Sequence, residues 1–406
     1  MILREKELRN ILIFCIFLIT SNHDIASASN LLYWGVLAGF PLLLIMMACY
    51  RGRAVSLNNF AIWLFAFLGI CGISYVYSID ADMSFEVLKG LMVNTLVVLS
   101  IMWNIRSVDD VTSIIKIILW VSFVNAIYLF ITVDWSAVGT DRLGTDYTGR
   151  GWNANTIGMM AVWGMLFIIY LAKTCGLKKY YLGILLLLPL LVYSGSRKAW
   201  VSAMGVVVAF ALINNKKHVF RAMLIAGVSA YVLYYLMINV PMLYEIGGHR
   251  LETLVQGLLG DSQMDTSAER RMAFIEYGIL WFKERPFFGY GVHTYAHLLG
   301  ASDFRMRTYS HNNYVELLVG VGLVGTLIFY SMYAYVLISL LKKFFWQRRL
   351  GLRQETATIL FLALLIITLA MQYGMVMYTN SLYITLLLLP YLYLELSRRE
   401  TKTNPV

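Results

Sequence analysis

Long apolar runs separated by short polar segments make up most of this chain. Runs such as 31–49, 59–77 and 112–132 approach or exceed the ~20 apolar residues that an α-helix needs to span the bilayer core. A transmembrane barrel would instead alternate apolar and polar residues over segments of ~10. The pattern therefore predicts an all-α polytopic integral membrane protein.

About twelve candidate transmembrane helices can be drawn from these runs. They are 8–22, 31–49, 59–77, 85–102, 112–132, 154–172, 180–194, 199–213, 219–239, 312–341, 356–373 and 379–397. The seventh and eighth are short, which is typical of a broken or re-entrant pair. The only long loop, 240–310, separates an N-terminal transmembrane bundle (1–239) from C-terminal transmembrane helices (311–406).

Composition agrees with a membrane protein. Hydrophobic residues make up 59% of the chain and charged residues 14%, whereas soluble domains carry about 25% charged residues. The net charge of +10 is better explained by topology than by nucleic-acid binding, because basic residues gather in cytoplasmic loops. The four cysteines show no CxxC or metal-ligand spacing, so a disulfide framework is not expected.

The distribution of lysine and arginine predicts that both termini are cytoplasmic. With this threading the inner segments collect most basic residues, while the short outer loops 23–30 and 374–380 contain none. The N-terminus also resembles a secretory signal, with basic residues, the apolar run 11–20 and then Ala26-Ser27-Ala28. A retained first helix is favoured over cleavage.

Several basic residues fall on the outer side, against this bias. They are Lys89, Arg142, Arg150, Arg197, Lys198, Arg250, Arg270, Arg271, Lys283, Arg285, Arg305 and Arg307. They come from distant parts of the chain but share one membrane face. Such a cluster suits an anionic ligand such as a pyrophosphate.

The long outer loop carries an amphipathic segment, in which Ala273, Phe274, Tyr277, Leu280 and Trp281 recur at helical spacing. We expect a helix that lies on the bilayer surface over a bound substrate. The segment 286–291, Pro-Phe-Phe-Gly-Tyr-Gly, then ends that helix and turns the chain.

A tight polar outer turn is predicted at Ser194-Gly195-Ser196-Arg197-Lys198. Anion binding is favoured for Arg197, which follows small residues, whereas a membrane anchor that reaches to lipid headgroups is favoured for Lys198.

Arginines and amides also precede the sixth span. Arg142, Arg150, Asn153 and Asn155 suit either phosphate and sugar hydroxyls or, for the two amides, a helix cap, and both interpretations stay open. Arg271 opens the surface helix, where the alternative is a solvated helix face.

His311 stands at the mouth of the tenth span, in the segment Ser310-His311-Asn312-Asn313. Its ordinary pKa suits a general base, although a lone histidine is usually structural. Glu316 lies near the same helical face but is not ideally placed to orient the imidazole.

His293 and His297 form an HxxxH pair without a third ligand at helical spacing, beside a predicted turn, so a metal site is disfavoured. Walker, HExxH and Asp-x-Asp motifs are absent from the sequence, which disfavours a nucleotide-sugar donor with a divalent metal.

Taken in order, these segments resemble the superfamily of O-antigen ligases and Wzy-type polymerases, which build bacterial cell-surface glycans. The similar segments are 77–80, Arg142 with 153–155, 194–199, Arg271 ahead of Trp281, 286–291, and 310–313 with Gly322 and Gly325. They cover roughly residues 77–325 around one long outer loop.

The resemblance implies a GT-C-like fold and an inverting glycosyl transfer that needs neither metal nor cofactor. The donor would be an oligosaccharide on undecaprenyl pyrophosphate, presented at the outer, periplasmic face of the bacterial plasma (inner) membrane. Arg197 and Arg271 would hold the pyrophosphate with help from Arg142 or Arg150, and His311 would activate or position the acceptor hydroxyl. Further substrate contacts are expected from Asn153, Asn155, Lys198, Arg270, Asn312 and Glu316.

A polymerase that joins lipid-linked repeats into O-antigen, capsule or exopolysaccharide is the leading interpretation. A ligase that transfers the finished glycan to lipid A-core, or to protein, is the nearest alternative. Membrane lipids and a chain-length regulator protein are expected partners, and nucleic acid is not. A transporter or flippase is disfavoured, because it predicts charges inside the spans, where this chain has very few.

Overall fold

The computed structural model describes residues 2–22, 30–50, 56–132, 154–214, 219–249, 251–252, 255–256, 266–350 and 355–403. Their regular elements are helices throughout. The α-helices are α1 Ile2–Ser21, α2 Asn30–Trp34, α3 Phe40–Tyr50, α4 Asn59–Val76, α5 Ala81–Asn104, α6 Val108–Thr132, α7 Ala154–Thr174, α8 Ile184–Tyr193, α9 Arg197–Asn214, α10 Val219–Asn239, α11 Pro241–Leu243, α12 Thr266–Glu284, α13 Tyr295–Ala301, α14 Asn313–Leu350, α15 Glu355–Gln372 and α16 Ser381–Thr403.

Seven helices within the described ranges are long and apolar enough to cross a membrane. They are Leu32–Tyr50, Asn59–Val76, Ala81–Asn104, Val108–Thr132, Ala154–Thr174, Arg197–Asn214 and Asn313–Arg349. Two shorter apolar helices, Met223–Asn239 and Thr356–Gln372, accompany them. The prediction of an all-helical, multi-pass membrane protein is confirmed, while the count of twelve spans stays a prediction.

The predicted short seventh span is a composite element. A 3₁₀ turn at Lys178–Gly183 leads into α8, which contains Pro189 and has only 10 residues. At 1.5 Å per residue such a helix is about 15 Å long, half of a bilayer core. The turn that follows α8 therefore lies at the end of a short helix that packs beside α7.

The predicted amphipathic helix is confirmed as α12. Its apolar face packs with α13 and with the start of α14 in a small core of its own, formed by Phe274, Tyr290, Tyr295, Leu299, Val315 and Val319. Most other buried apolar side chains of the described residues belong to one much larger cluster that runs through the helix bundle. We call α12, α13 and the segment 286–294 between them the cap.

The predicted continuous span 312–341 is wrong in one respect, because α14 is broken at Gly322. This residue has φ 67° and ψ −169°, a conformation that is not helical. Segment 286–291 of the cap runs beside the break and completes its hydrogen bonds. Tyr290 N–H donates to Val319 O (2.9 Å), Gly291 N–H to Gly320 O (2.9 Å), Leu323 N–H to Pro286 O (2.8 Å) and Val324 N–H to Phe287 O (3.2 Å).

This junction means that the loop 240–310 is not merely appended to the outside of the bundle. Carbonyl groups at the end of one half-helix and N–H groups at the start of the next have no intrahelical partners. Here the cap supplies partners for them, so the cap and α14 form one hydrogen-bonded unit.

The connection between α15 and α16, residues 373–380, lies deep beside α5. Asn94 Nδ2 donates to Thr379 O over 2.7 Å, and Asn94 is 13 residues from the first residue of α5, about 20 Å along the helix. The connection was predicted as a short outer loop, and it forms a recessed floor below the cap.

Candidate active site

His311 occupies a strained position directly before α14. Its backbone has φ 55°, in the left-handed region that non-glycine residues rarely adopt. Its ring is half-buried, stacked on Phe274 of the cap with a centroid distance of 6.3 Å and 4.0 Å from the Tyr309 ring. The imidazole is therefore fixed between the cap and Tyr309 of the segment that leads into α14.

Two positive side chains from distant parts of the chain act on His311. Burial, and then the charges of Arg271 and Lys198, lower the pKa of the His311 imidazole from 6.5 to about 4. Residues 198, 271 and 311 thus share one electrostatic environment, while the binding of an anion by the outer basic residues stays a prediction. At neutral pH the imidazole is uncharged and the two side chains beside it carry the positive charge.

Helix phase distinguishes the adjacent arginines of α12. Arg271 is half-buried and acts on His311, whereas Arg270 is exposed. Of the two, Arg271 is the one placed to hold a ligand at His311. A substrate contact from Arg270 stays a prediction.

The favoured interpretation of Lys198 was a membrane anchor that reaches to lipid headgroups. In the structure its side chain is directed to another part of the protein. Its ammonium donates a hydrogen bond to the Gly374 carbonyl in the recessed connection. Arg197 is the first residue of α9 and is half-buried. The preceding turn is tied to α7, because Ser196 Oγ donates to Asn155 Oδ1 over 2.7 Å.

Asn312 and Glu316 shape the backbone around His311. Asn312 Oδ1 caps α14 by accepting from Tyr314 N–H (3.0 Å) and Val315 N–H (3.2 Å). Glu316 Oε2 accepts from Ser310 N–H over 2.9 Å. These contacts give both side chains a structural role, and their predicted contact with substrate stays a prediction.

Asn313, which the sequence did not single out for a role, joins three elements. Its Nδ2 donates to Tyr330 Oη (3.0 Å) and Gln372 Oε1 (2.8 Å), and its Oδ1 accepts from Met377 N–H (2.8 Å) and Tyr378 N–H (3.1 Å). All four bonding positions of the buried amide are used. Asn313, two positions after His311, thereby anchors the recessed connection.

A cavity of about 310 Å³ opens between the cap, the start of α7 and the recessed connection. Its walls include the side chains of Asn155, His293, Tyr309, Thr379, Asn380 and Tyr383. Tyr309, which packs on His311, links the cavity to the side chains of Lys198 and Arg271, which we call the positive cluster. A larger cavity of about 770 Å³, lined by Lys342, Lys343, Arg398 and Arg399 among others, lies near the C-terminal ends of α14 and α16, away from His311.

The two histidines of the HxxxH pair contact different carboxylates. His293 Nδ1 lies 3.2 Å from Tyr378 Oη and 3.5 Å from Glu316 Oε1. His297 Nδ1 lies 3.0 Å from Asp80 Oδ2. Across the ranges that the structure describes, no group of three or more His, Cys, Asp or Glu side chains is arranged to hold a metal ion.

Asp80 and His297 form the second of these pairs, which lies outside the cavity. Partial burial raises the pKa of this carboxyl, but the hydrogen bonds from Met83 N–H and His297 outweigh burial and lower it below its usual value. Sequence reasoning considered both histidines only as metal ligands. It missed both pairs because Glu316 and Asp80 are far from them along the chain.

Three further predicted site residues, Arg142, Arg150 and Asn153, lie outside the described ranges. Their roles stay predictions. Asn155 lines the cavity and bonds to Ser196, so it stands between the 194–198 turn and the cavity.

Comparison with known families agrees with the predicted resemblance. Residues 182–330 match the family of O-antigen ligases. The match begins in the 3₁₀ turn before α8 and includes Arg197, Lys198, Arg271, His293, His311 and Glu316. No curated protein matches the chain. The predicted relation to the O-antigen ligase and Wzy superfamily is thereby confirmed for this segment.

Proposed function

We propose that this multi-pass membrane protein, whose residues 182–330 form an O-antigen ligase domain, moves a glycan from undecaprenyl pyrophosphate to an acceptor sugar at the outer face of the bacterial plasma membrane. The observation that carries the proposal is the half-buried imidazole of His311, which stacks on Phe274 of the cap and is influenced by the charges of Arg271 and Lys198. The site then lies where the N-terminal bundle (1–239), the outer loop (240–310) and the C-terminal helices (311–406) meet, with both termini cytoplasmic.

The donor pyrophosphate would be held by Arg197, Lys198 and Arg271. Arginine stays protonated at every physiological pH and matches phosphate oxygens with a planar set of donors. The polyprenyl chain would remain among the apolar helices. Because pyrophosphate is already a good leaving group, the protein needs mainly to neutralise the charge that develops on it and to position the acceptor.

His311 would activate or position the acceptor hydroxyl. The bound pyrophosphate would oppose the charges of Arg271 and Lys198, which lower the pKa of the imidazole in the structure described here. The pKa of His311 would therefore be higher with donor bound than without it. The imidazole would then accept a hydrogen bond from the acceptor hydroxyl more strongly, and only when the donor is bound.

In the transfer step, the acceptor oxygen would form a bond to the anomeric carbon of the donor sugar from the face opposite the pyrophosphate. The bond from that carbon to the pyrophosphate oxygen would break, and its electron pair would leave with the undecaprenyl pyrophosphate. The configuration of the anomeric carbon would invert. The proton of the acceptor hydroxyl would pass to a base in the site.

Polymerisation of O-antigen, capsule or exopolysaccharide repeats is the proposed use of this chemistry. Transfer of the finished glycan to lipid A-core is the second candidate, and the ligase family to which residues 182–330 match favours it. Both use the same donor site and differ in the acceptor.

The test is to incubate the purified protein with undecaprenyl-pyrophosphate-linked repeats, with and without lipid A-core, and to separate the products on a gel. A ladder from the donor alone identifies a polymerase, and product only with lipid A-core identifies a ligase. No turnover in either tube, with a donor verified on another enzyme, contradicts the proposal and favours a protein acceptor or transport.

A further inference from the structure

We propose that the cavity beside His293 binds one neutral sugar ring of the acceptor, and that His293, oriented by Glu316, receives the proton of the attacking hydroxyl. This inference rests on the proposed function. It assigns the acceptor to a place next to the positive cluster and gives His311 the role of positioning.

The first observation is the burial of Glu316. Its side chain is fully buried, and Oε2 is occupied by Ser310 N–H. Oε1 makes no hydrogen bond in the described part of the chain, yet it lies 3.5 Å from His293 Nδ1. An ionised carboxylate without a partner is costly to bury. Protonation of His293 would give this carboxylate a cationic partner, so the pair is suited to take up a proton.

The second observation is the direction of the His293 ring. Nδ1 faces Glu316 and Tyr378, while the side chain forms part of the cavity wall. Nε2 is therefore the ring nitrogen available to a ligand in the cavity. A histidine whose one nitrogen contacts a carboxylate and whose other nitrogen faces the substrate is the arrangement of a general base.

The third observation is the contrast with His311. Arg271 and Lys198 oppose a positive charge on the His311 ring, whereas the buried carboxylate of Glu316 favours one on His293. Of the two imidazoles, His293 is thus the one with a buried carboxylate beside it, 3.5 Å from its Nδ1. His311, which stays neutral, is suited to hold the donor or the acceptor by hydrogen bonds.

The character of the cavity identifies the ligand class. The described residues that line it include no Lys, Arg, Asp or Glu, and they supply the rings of Tyr309 and Tyr383, the amides of Asn155 and Asn380, and the Thr379 hydroxyl. Aromatic faces and neutral polar groups suit a sugar better than an anion. At about 310 Å³, the cavity is at the lower end of the ~300–1,000 Å³ of small-molecule pockets, which favours a single ring.

With His293 as the base, each bond that forms in the transfer step is matched by one that breaks. The acceptor oxygen gains the bond to the anomeric carbon as its proton passes to His293 Nε2. The pyrophosphate leaves with the electron pair of the broken bond and is held by the positive cluster. His293 then returns its proton to water before the next cycle.

The decisive variant is His293→Gly, because the φ of 63° at this position is one that glycine adopts without strain. We expect kcat to fall at least ~100-fold, as for the loss of a general base, with the KM for donor unchanged. Added imidazole, which fits the vacated space, should raise the kcat of the His293→Gly variant at least tenfold. A purely structural role would not respond to imidazole.

Glu316→Gln and the second histidine pair provide the matched comparison. Glu316→Gln should lower kcat and shift the acidic limb of the pH–rate profile to lower pH, because the neutral amide no longer stabilises the cationic imidazole. Tyr378 and Tyr309 face the same ring or cavity, and burial raises the pKa of both hydroxyls above its usual value, so neither titrates on the acidic limb. His297→Gln removes a histidine that pairs with Asp80 outside the cavity, and its kcat and its pH–rate profile should match wild type.

The outcomes separate this inference from the function on which it rests. Product from wild type, loss in His293→Gly and rescue by imidazole support it. Product from wild type with near-normal kcat in His293→Gly overturns the assignment of His293 and leaves the proposed function in place. Loss of activity in His293→Gly and Glu316→Gln with no rescue and no shift of the profile also overturns it. Absence of product from wild type overturns both.

Discussion

Replacing Gly322 by alanine tests whether the cap and α14 are joined as the structure shows. Gly322 has φ 67° and ψ −169°, in a region that is essentially restricted to glycine. A Cβ atom at this position would overlap the Phe287 carbonyl group and would lie 2.5 Å from Phe288 N. Both neighbours are backbone atoms, so a change of side-chain rotamer cannot relieve the overlap.

The cost can be worked out from these contacts. The disfavoured backbone conformation costs about 1–3 kcal/mol for a residue with a side chain. Separation of the two backbone segments would also weaken the bonds from Leu323 N–H to Pro286 O and from Val324 N–H to Phe287 O, each worth about 0.5–1.5 kcal/mol. We therefore expect Gly322→Ala to lower the free energy of unfolding by roughly 2–6 kcal/mol.

Thermal unfolding of the purified protein, followed by fluorescence-detected size exclusion, measures this loss. Gly90→Ala in α5 is the matched control, because a Cβ there meets nothing within 4 Å and alanine is favoured over glycine in a helix by about 0.5–1 kcal/mol. We expect a clear fall in melting temperature for Gly322→Ala and none for Gly90→Ala. Equal melting of Gly322→Ala and wild type would refute the described junction.

Three further predictions concern the site. His311→Ala and Arg197→Ala should each abolish glycan transfer while membrane insertion and abundance, measured by immunoblot, stay normal; near-normal activity in either variant would contradict the role of that residue. EDTA should change the transfer rate little, and strong inhibition would revive the metal interpretation of His293 and His297. The pKa of His311 is about 4 in the folded protein and 6.5 in the free side chain, so the unfolded chain binds more protons between these values and stability should fall as pH drops from 6.5 towards 4. His311→Asn should reduce that fall in a series of melting temperatures against pH, and an unchanged slope would count against the lowered pKa.

The helical framework could be predicted from the sequence because its cause is local. A run of about 20 apolar residues must satisfy its backbone internally in a membrane, and a helix does so. The amphipathic spacing around Phe274 and Trp281 likewise predicted α12. The break at Gly322 could not be predicted in this way, since the segment is apolar on both sides and the break depends on residues 286–291.

Some features of the candidate site could likewise be predicted from the sequence, and others depend on the fold. His311 and Arg271 attracted attention as polar residues beside apolar helices, and the structure places them in one environment. Which of Arg270 and Arg271 faces inwards depends on the helix phase, which the sequence left unresolved. The contact between His293 and Glu316 joins the cap segment 286–294 to the first turn of α14, and the nearby His297 suggested a metal pair instead.

The interleaved hydrogen bonds between 286–291 and 319–324 also restrict how this protein can be recombined with its relatives. A chimera that takes its outer loop from another protein, with a seam near residue 310, would leave the incoming loop facing foreign half-helices. The segments on both sides of the seam have to be exchanged together. In evolution, as in the laboratory, the smallest unit that can be transplanted is the cap with the first part of α14.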